Sequence, residues 1–459
     1  MIARFSSMIP DSTAAPRRTF LLLAATMLTG AACEQGSSDV PDVPEASNVL
    51  LLTVDTLRAD HLTPYGYERG TSPALDSLAS GAVVFESAQA SSSWTLPALA
   101  SVMTGHYTST HGCWKRRSRL SPAFETLTEV LRDGGYDTAC VVSHIFLARN
   151  YGLQQGFVHF DTAFDRAEAH EDTHVSSPRV TREGVAWIEN KAGGEDRAPW
   201  FLWLHYFDPH FKYVVHEGQE PSFGTDGVED LYDNEILFTD RHIGRVLDAL
   251  ERTGLAPRTV VVFFADHGEE FDDHGGKYHG HTLHEELTRI PLIIRAPGVS
   301  AGRVAHPVRT VDIMPTVLEL VGLEVPEGLA GASLVPSLSG EVQDLPALAE
   351  LRLFGTAHHY DSLVAGEWKL IVGREEGRAA LYQLSRDPNE QSDVAAAFPE
   401  RVNELRERMR AMIGEAEDAS HAYAPVADLD LSGSEAHQLK ALGYTDGDDE
   451  SGDGAPQGD

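Results

Sequence analysis

Apolar runs that stop abruptly at a charged or polar residue recur along the chain. Asn48-Val-Leu-Leu-Leu-Thr-Val54 is one, and it stops at Asp55. Thr259-Val-Val-Val-Phe-Phe-Ala265 stops at Asp266-His267-Gly268. Trp200-Phe-Leu-Trp-Leu204 is followed by His205 and by Asp208-Pro209-His210. A short, nearly continuous apolar run without period-two alternation predicts a strand buried on both faces, as in parallel sheets. Residues 138–142 and 291–294 repeat the design more weakly. Between the runs the period changes. Ile236, Asp240, Ile243, Val246, Leu247 and Leu250 sit at helical spacing, and Leu127 to Leu131 begins another helix that Gly134-Gly135 ends.

Strands alternating with helices predict an α/β fold with a large, mainly parallel sheet flanked by helices. Ligands in such sheets bind beyond the carboxyl ends of the strands, and three runs here deliver Asp or His at that end. Near residue 345 the texture changes. Glu367-Trp-Lys-Leu-Ile-Val372 and Ala380-Leu-Tyr-Gln-Leu384 predict strands of a smaller antiparallel sheet, and Glu400 to Ile413 an amphipathic helix. The expected division is a catalytic domain over 48–345 and a C-terminal subdomain over 346–444.

The ends of the chain read differently. Arg17-Arg18-Thr19-Phe20-Leu21 has the form of a twin-arginine export signal. The apolar run that follows is shorter than the roughly 20 residues that span a bilayer. It leads to Leu28-Thr-Gly-Ala-Ala-Cys33, which resembles a lipoprotein cleavage site with Cys33 as the lipidated residue, although Gly30 stands where a bulky aliphatic is usual. Residues 1–33 are thus expected to be an export signal, 34–47 a tether and 445–459 a disordered tail. The expected location is exported, either periplasmic or lipid-anchored to the cell envelope. Cys113 and Cys140 then remain, too few for a disulfide framework. They form either one bond or a pair of small buried hydrophobes.

Charge narrows the partners. Asp plus Glu number 70 against 36 Lys plus Arg, a formal charge of -34 over 459 residues. Nucleic-acid binding needs a basic footprint and is not expected. Membrane contact is expected only through a lipid on Cys33. Hydrophobic residues make up 42% of the chain, enough for a large core.

Asp55, Asp266 and His267 are hard oxygen and imidazole ligands at strand ends, a set that suits one divalent ion: Ca, Mn, Mg or Zn. At these residues the chain resembles the sulfatase family of the alkaline-phosphatase superfamily. The matching stretches are NVLLLTVDTLRADHLTPYGY, LPALASVMTGHY, FLWLHYFDPHFKY, FFADHGEEFDDHG, HEELTRIPLIIRAPG, TVDIMPTVLELVG and ALYQLSRDPNEQSDV, in the family's order from about residue 48 to 400. The resemblance implies that Asp55, Asp266 and His267 are metal ligands. It implies that His210 binds the anionic ester or its leaving group. His279 and His281 both fall where the family faces the substrate anion with Lys or His. Lys115 and Arg116 fall in a region that supplies a polar or basic anion contact. Thr56 stands where many members carry a second Asp, so one ion is expected.

One stretch departs from the family. Members carry Cys or Ser in a C/S-x-P-x-R motif that is oxidised to formylglycine. Aligning Pro97 and Ser101-Val-Met-Thr-Gly105 with it puts Thr95 at the nucleophile and Leu99 at the Arg. The Cβ methyl of threonine bars that oxidation. A metal-bound Thr is nonetheless the nucleophile in relatives that resemble nucleotide pyrophosphatases and phosphoglycerol or phosphoethanolamine transferases. A divalent ion and a helix N-terminus both favour its alkoxide. A formylglycine hydrate can expel sulfate by elimination, whereas Thr cannot, and this slightly favours phosphate mono- or diesters over sulfate esters. The expectation is therefore an ester hydrolase with Thr95 as nucleophile and metal ligand. The alternatives are a phosphoglycerol- or phosphoethanolamine-type transferase and a metal-binding protein without catalysis.

Overall fold

The computed structural model describes residues 47–162, 175–194, 198–216, 221–352, 359–375, 377–424 and 426–431, with Gly433 and Leu439. The export signal, Cys33 and the C-terminal tail lie outside the described residues, as does all of the tether but Ser47.

Nine strands among the described residues form one sheet. From edge to edge run Gly302–Val304, Val83–Gln89, Arg289–Arg295, Thr259–Ala265, Asn48–Val54, Trp200–Tyr206, Asp137–Val142 and His159–Thr162, with Val308–Arg309 also paired to Val83–Gln89. Asn48–Val54 lies at the centre, parallel to Trp200–Tyr206 on one side and Thr259–Ala265 on the other. All residues of these three strands are buried, as their unbroken apolar runs require. Each Val, Leu or Phe buried there contributes about 1.5–3 kcal/mol, so the strand ends are fixed points from which functional side chains can project.

The 291–294 run is a strand, but not a parallel one. Arg289–Arg295 is antiparallel to both Thr259–Ala265 and Val83–Gln89. Between Ala265 and Arg289 the chain passes only two-residue strands and the one-turn helix Glu285–Thr288. A parallel return needs a crossover long enough to span the sheet face, usually a helix of several turns. Without one the chain comes back into the sheet from the end it left.

The expected helices are present over Leu127–Asp133, Val228–Arg252 and Pro399–Ser420. The first is closed by a capping box between Thr126 and Glu129 and stops at Gly134. The smaller sheet holds four antiparallel strands, Ala347–Arg352, His359–Ala365, Trp368–Gly373 and Ala379–Gln383. Val402, Leu405, Met409 and Ile413, at helical spacing on Pro399–Ser420, pack with Leu348, Leu363, Leu370 and Leu381 of this sheet. Cys113 and Cys140 are free and buried, which resolves the alternatives in favour of two small hydrophobes. No helix among the described residues is long and apolar enough to cross a membrane.

Candidate active site at the ends of the central strands

Val54 pairs in register with Tyr206 and with Ala265. Asp55 and Asp266 therefore leave the sheet side by side, each one residue past its strand. The Asp266 Oδ1 accepts from the backbone N–H of His267 at 2.9 Å and of Thr56 at 3.3 Å. Its Oδ2 and both oxygens of Asp55 are fully buried with no hydrogen-bond partner among the described residues. His267 donates Nδ1–H to the Gly268 carbonyl at 2.9 Å. That fixes the tautomer and leaves Nε2 facing the carboxylates, 3.6 Å from Asp55 Oδ1 and 3.5 Å from Asp266 Oδ2. One ligand atom from each of Asp55, Asp266 and His267 lies within 4.8 Å of the others.

The electrostatics fit a cation. Burial, and then the nearby charges of Asp266 and Glu269, push the Asp55 carboxyl well up. Burial also raises Asp266, and burial followed by His279 lowers His267. Buried orphan carboxylate oxygens beside an imidazole with its second nitrogen already engaged are a donor set that one divalent ion satisfies. Gly268 is needed for this corner, since a Cβ there would lie 2.0 Å from the Glu286 carbonyl oxygen.

Thr95 opens the buried helix Thr95–Thr104, with Trp94 extended at the N-cap. Its Oγ1 lies 3.3 Å from His267 Nε2. The structure thus joins Thr95 to the three expected ligands. Leu99 is fully buried in the main core.

His210 donates Nδ1–H to the Phe211 carbonyl at 2.8 Å. Its ring stands 5.0 Å from that of His279, which in turn lies 4.6 Å from the ring of His267. His279 is thus brought to the cluster. His281 is held elsewhere. Its Nε2 lies 2.6 Å from Glu270, whose other oxygen accepts from the backbone N–H of His274 and Gly276. Lys115 is exposed and pairs with Asp428 at 3.2 Å, and Arg116 is buried.

Three further residues belong to the site. His205 Nε2 lies 3.5 Å and His144 Nε2 3.8 Å from Asp55 Oδ2. His205 is oriented by Thr53 Oγ1 at 2.7 Å, which also accepts from Trp203 Nε1 at 2.9 Å. Both follow or end buried strands, the same signal that marks Asp55. Glu269, fully buried, contacts His279 at 2.9 Å. Asp208 has a structural role, accepting from the N–H of Ser176 and Ser177 where the Ser177–Gly193 helix begins. A second group, His274, His284 and Glu286, also has ligand atoms close together. Its two rings stack in parallel at 3.8 Å, and His274 pairs with Glu286 at 2.8 Å and with the Glu390 carbonyl at 3.1 Å.

The sulfatase family model matches residues 47–323, and a model described as N-sulphoglucosamine sulphohydrolase, C-terminal, matches 273–418. Arylsulfatase K of Gallus gallus is 24% identical over 86% of this chain and 87% of its own length. Choline-sulfatase of Rhizobium meliloti is 24% identical over 76% of this chain and 82% of its own. Arylsulfatase K of Xenopus laevis is 32% identical, but the chain spans only 35% of that relative's length. Among solved structures, the phosphonate monoester hydrolase of Agrobacterium radiobacter aligns with a TM-score of 0.68 at 21% identity, covering 81% of this chain and 96% of that one. Ps i-CgsB in complex with k-i-k-neocarrahexaose aligns with a TM-score of 0.69 at 18% identity, covering 86% and 97%. At such identities the structures share the fold. The family model covers more than half of the chain and spans Asp55, Thr95, His210, Asp266, His267 and His279. The chain belongs to the sulfatase family.

Proposed function

We propose that the chain is a metal-dependent hydrolase of sulfate or phosphate esters, with Thr95 as nucleophile and Asp55, Thr95, Asp266 and His267 as ligands of one divalent ion. The approach of Thr95 Oγ1 to 3.3 Å from His267 Nε2, at the first residue of a buried helix, carries this reading. The ion, when bound, supplies Lewis acidity that favours the Thr95 alkoxide and offsets the two buried carboxylates. Thr95 Oγ1 bonds to phosphorus or sulfur while the ester oxygen leaves with the electron pair of the broken bond, and the Thr95 hydroxyl proton ends on that departing oxygen. The N–H groups of the first helical turn face the charge that collects on the transferred group. His210 and His279 flank that group and hold it. Thr95 has a single hydroxyl, so its covalent ester is cleared by attack on phosphorus or sulfur.

That last step is better suited to phosphoryl than to sulfuryl groups, and it favours a phosphate mono- or diester. A sulfate ester is the second reading, supported by the names of the relatives, arylsulfatase K and choline-sulfatase. Two solved neighbours are bound to saccharides, one to a neocarrahexaose and one to its substrate D-glucosamine-2-N,6-O-disulfate. An anionic ester on a sugar therefore belongs among the substrates to try. Export to the periplasm, with or without a lipid on Cys33, completes the reading.

The test is a side-by-side assay with aryl sulfate, aryl phosphate and bis-aryl phosphate, each with Ca, Mn, Mg and Zn, on the wild type and on Thr95→Ala. Turnover that requires both metal and Thr95 is expected. Product appearing only when an alcohol acceptor is added would favour a transferase. Silence on every ester would favour a binding role.

A further inference from the structure

In the C-terminal subdomain a groove of about 380 Å³ lies between the helix Pro399–Ser420 and the turn that joins Trp368–Gly373 to Ala379–Gln383. Val372, Met409 and Ile413 give it an apolar lining. Three arginines and two carboxylates line it as well. Arg374 is engaged: its Nη2 donates to Asp361 Oδ1 at 2.9 Å, and its Nη1 lies 4.0 Å from Glu417. Arg406 and Arg410 differ. Arg406 Nε is buried without a hydrogen-bond partner, and neither residue has an ion pair among the described residues. They stand four residues apart on one helix face, where like charges repel. A bound anion would relieve that repulsion, in a chain whose formal charge is otherwise -34. A glycine keeps the space open. Gly414 lies inside the helix, where glycine is less stable than alanine, and it lines the groove. A Cβ there would meet no atom within 4 Å, so no packing contact among the described residues calls for it.

We infer that this groove is a second binding site, which takes a tetrahedral oxyanion carried on a sugar-sized body. Arg406 and Arg410 hold the anion, and Val372, Met409 and Ile413 lie against the body. A bare oxyanion fills only a few water volumes of about 30 Å³ each, and would leave most of the space empty. An organic body that covers the apolar lining fills the remainder. The choice of a sugar rests on the substrates proposed above. The anion site does not, because it uses none of the residues of the catalytic cluster.

The test is calorimetric titration of the metal-loaded protein with 6-deoxy-6-sulfoglucose, whose carbon–sulfur bond leaves no ester to cleave, and with inorganic sulfate and phosphate. The wild type is compared with Gly414→Leu, which plugs the groove, and with the double variant Arg406→Ala, Arg410→Ala. Gly414→Leu should bind one equivalent of the sulfonated sugar fewer than wild type. Its melting temperature should be no lower, since leucine is the better helix former. The double variant should bind that equivalent at least about 10-fold more weakly. Unchanged stoichiometry and affinity in both variants would overturn the site. A lower melting temperature in Gly414→Leu would mean that packing needs the glycine, and would overturn the argument from the open groove. Inorganic sulfate or phosphate bound as tightly as the sulfonated sugar would overturn the sugar body. Binding needs no turnover, so failure of the Thr95 reading would leave each of these results readable.

Discussion

Thr95 Oγ1 and His267 Nε2 stand 3.3 Å apart across 172 residues of sequence. The contact joins a helix N-terminus to a strand end and makes the hydroxyl the specific feature to vary. Thr95→Ala should lose at least about 10³-fold in kcat/KM, as removal of a nucleophile does. Thr95→Ser keeps the hydroxyl at the same place and should retain measurable turnover on the same ester. Progress curves for the two variants on one substrate check this directly.

Asp55 and Asp266 repel each other in a buried site, and burial is the larger cause of the upward push on both. Folded pKa values raised in this way mean that ionising the pair costs stability without a cation. Asp55→Asn should therefore stabilise the metal-free protein at pH 8 by about 1–2 kcal/mol. It should also abolish the stabilisation that added divalent ion gives to the wild type, which would be about 2.7 kcal/mol at an ion concentration 100 times Kd. Denaturant titrations with and without ion would read both effects.

Gly268→Ala should damage the site without touching a ligand. The new methyl would meet a backbone oxygen, which cannot rotate away. Overpacking of this kind costs about 1–3 kcal/mol. It would also shift His267, whose tautomer depends on the Gly268 carbonyl. The expected result is lower stability and a larger loss in metal affinity than a neutral surface change gives, measured by thermal unfolding and by ion titration.

The Glu286 carboxylate beside His274 lifts that imidazole to about 9, against an ordinary 6.5. Because the folded value is the higher one, the pair's contribution is complete below about pH 6.5 and is lost as pH rises through about 9. The group is partly exposed, so roughly 1 kcal/mol is expected. His274→Gln should be less stable than wild type at pH 6 and converge with it near pH 10. Unfolding midpoints across that range give the comparison.

The proposed ligands were legible because a buried strand announces its own end. Asp55 and the Asp266-His267-Gly268 turn each follow an unbroken apolar run, and that pattern alone places them at the carboxyl ends of their strands. His144 and His205 carry the same signal, but their approach to Asp55 depends on strand order, which puts Trp200–Tyr206 next to the central strand and Asp137–Val142 beyond it. Glu269 was hidden because its partner His279 lies ten residues on, across a loop whose path no periodicity encodes. His281 and His279 lie two residues apart in one loop, and what separates them is the contact of His281 with Glu270, which no local pattern encodes. The strand at 291–294 was found but not its direction, because direction is set by the length of the connection and not by the strand's own residues.

The most direct measurement is the mass of the Thr95 peptide from metal-loaded enzyme quenched in acid during turnover, on an aryl phosphate and on an aryl sulfate. A transferred phosphoryl or sulfuryl group on Thr95, absent when the metal is removed and absent in Thr95→Ala, is the expected result. An active enzyme whose Thr95 stays unmodified on both substrates, with turnover unchanged in Thr95→Ala, would contradict the central claim that this threonine is the nucleophile.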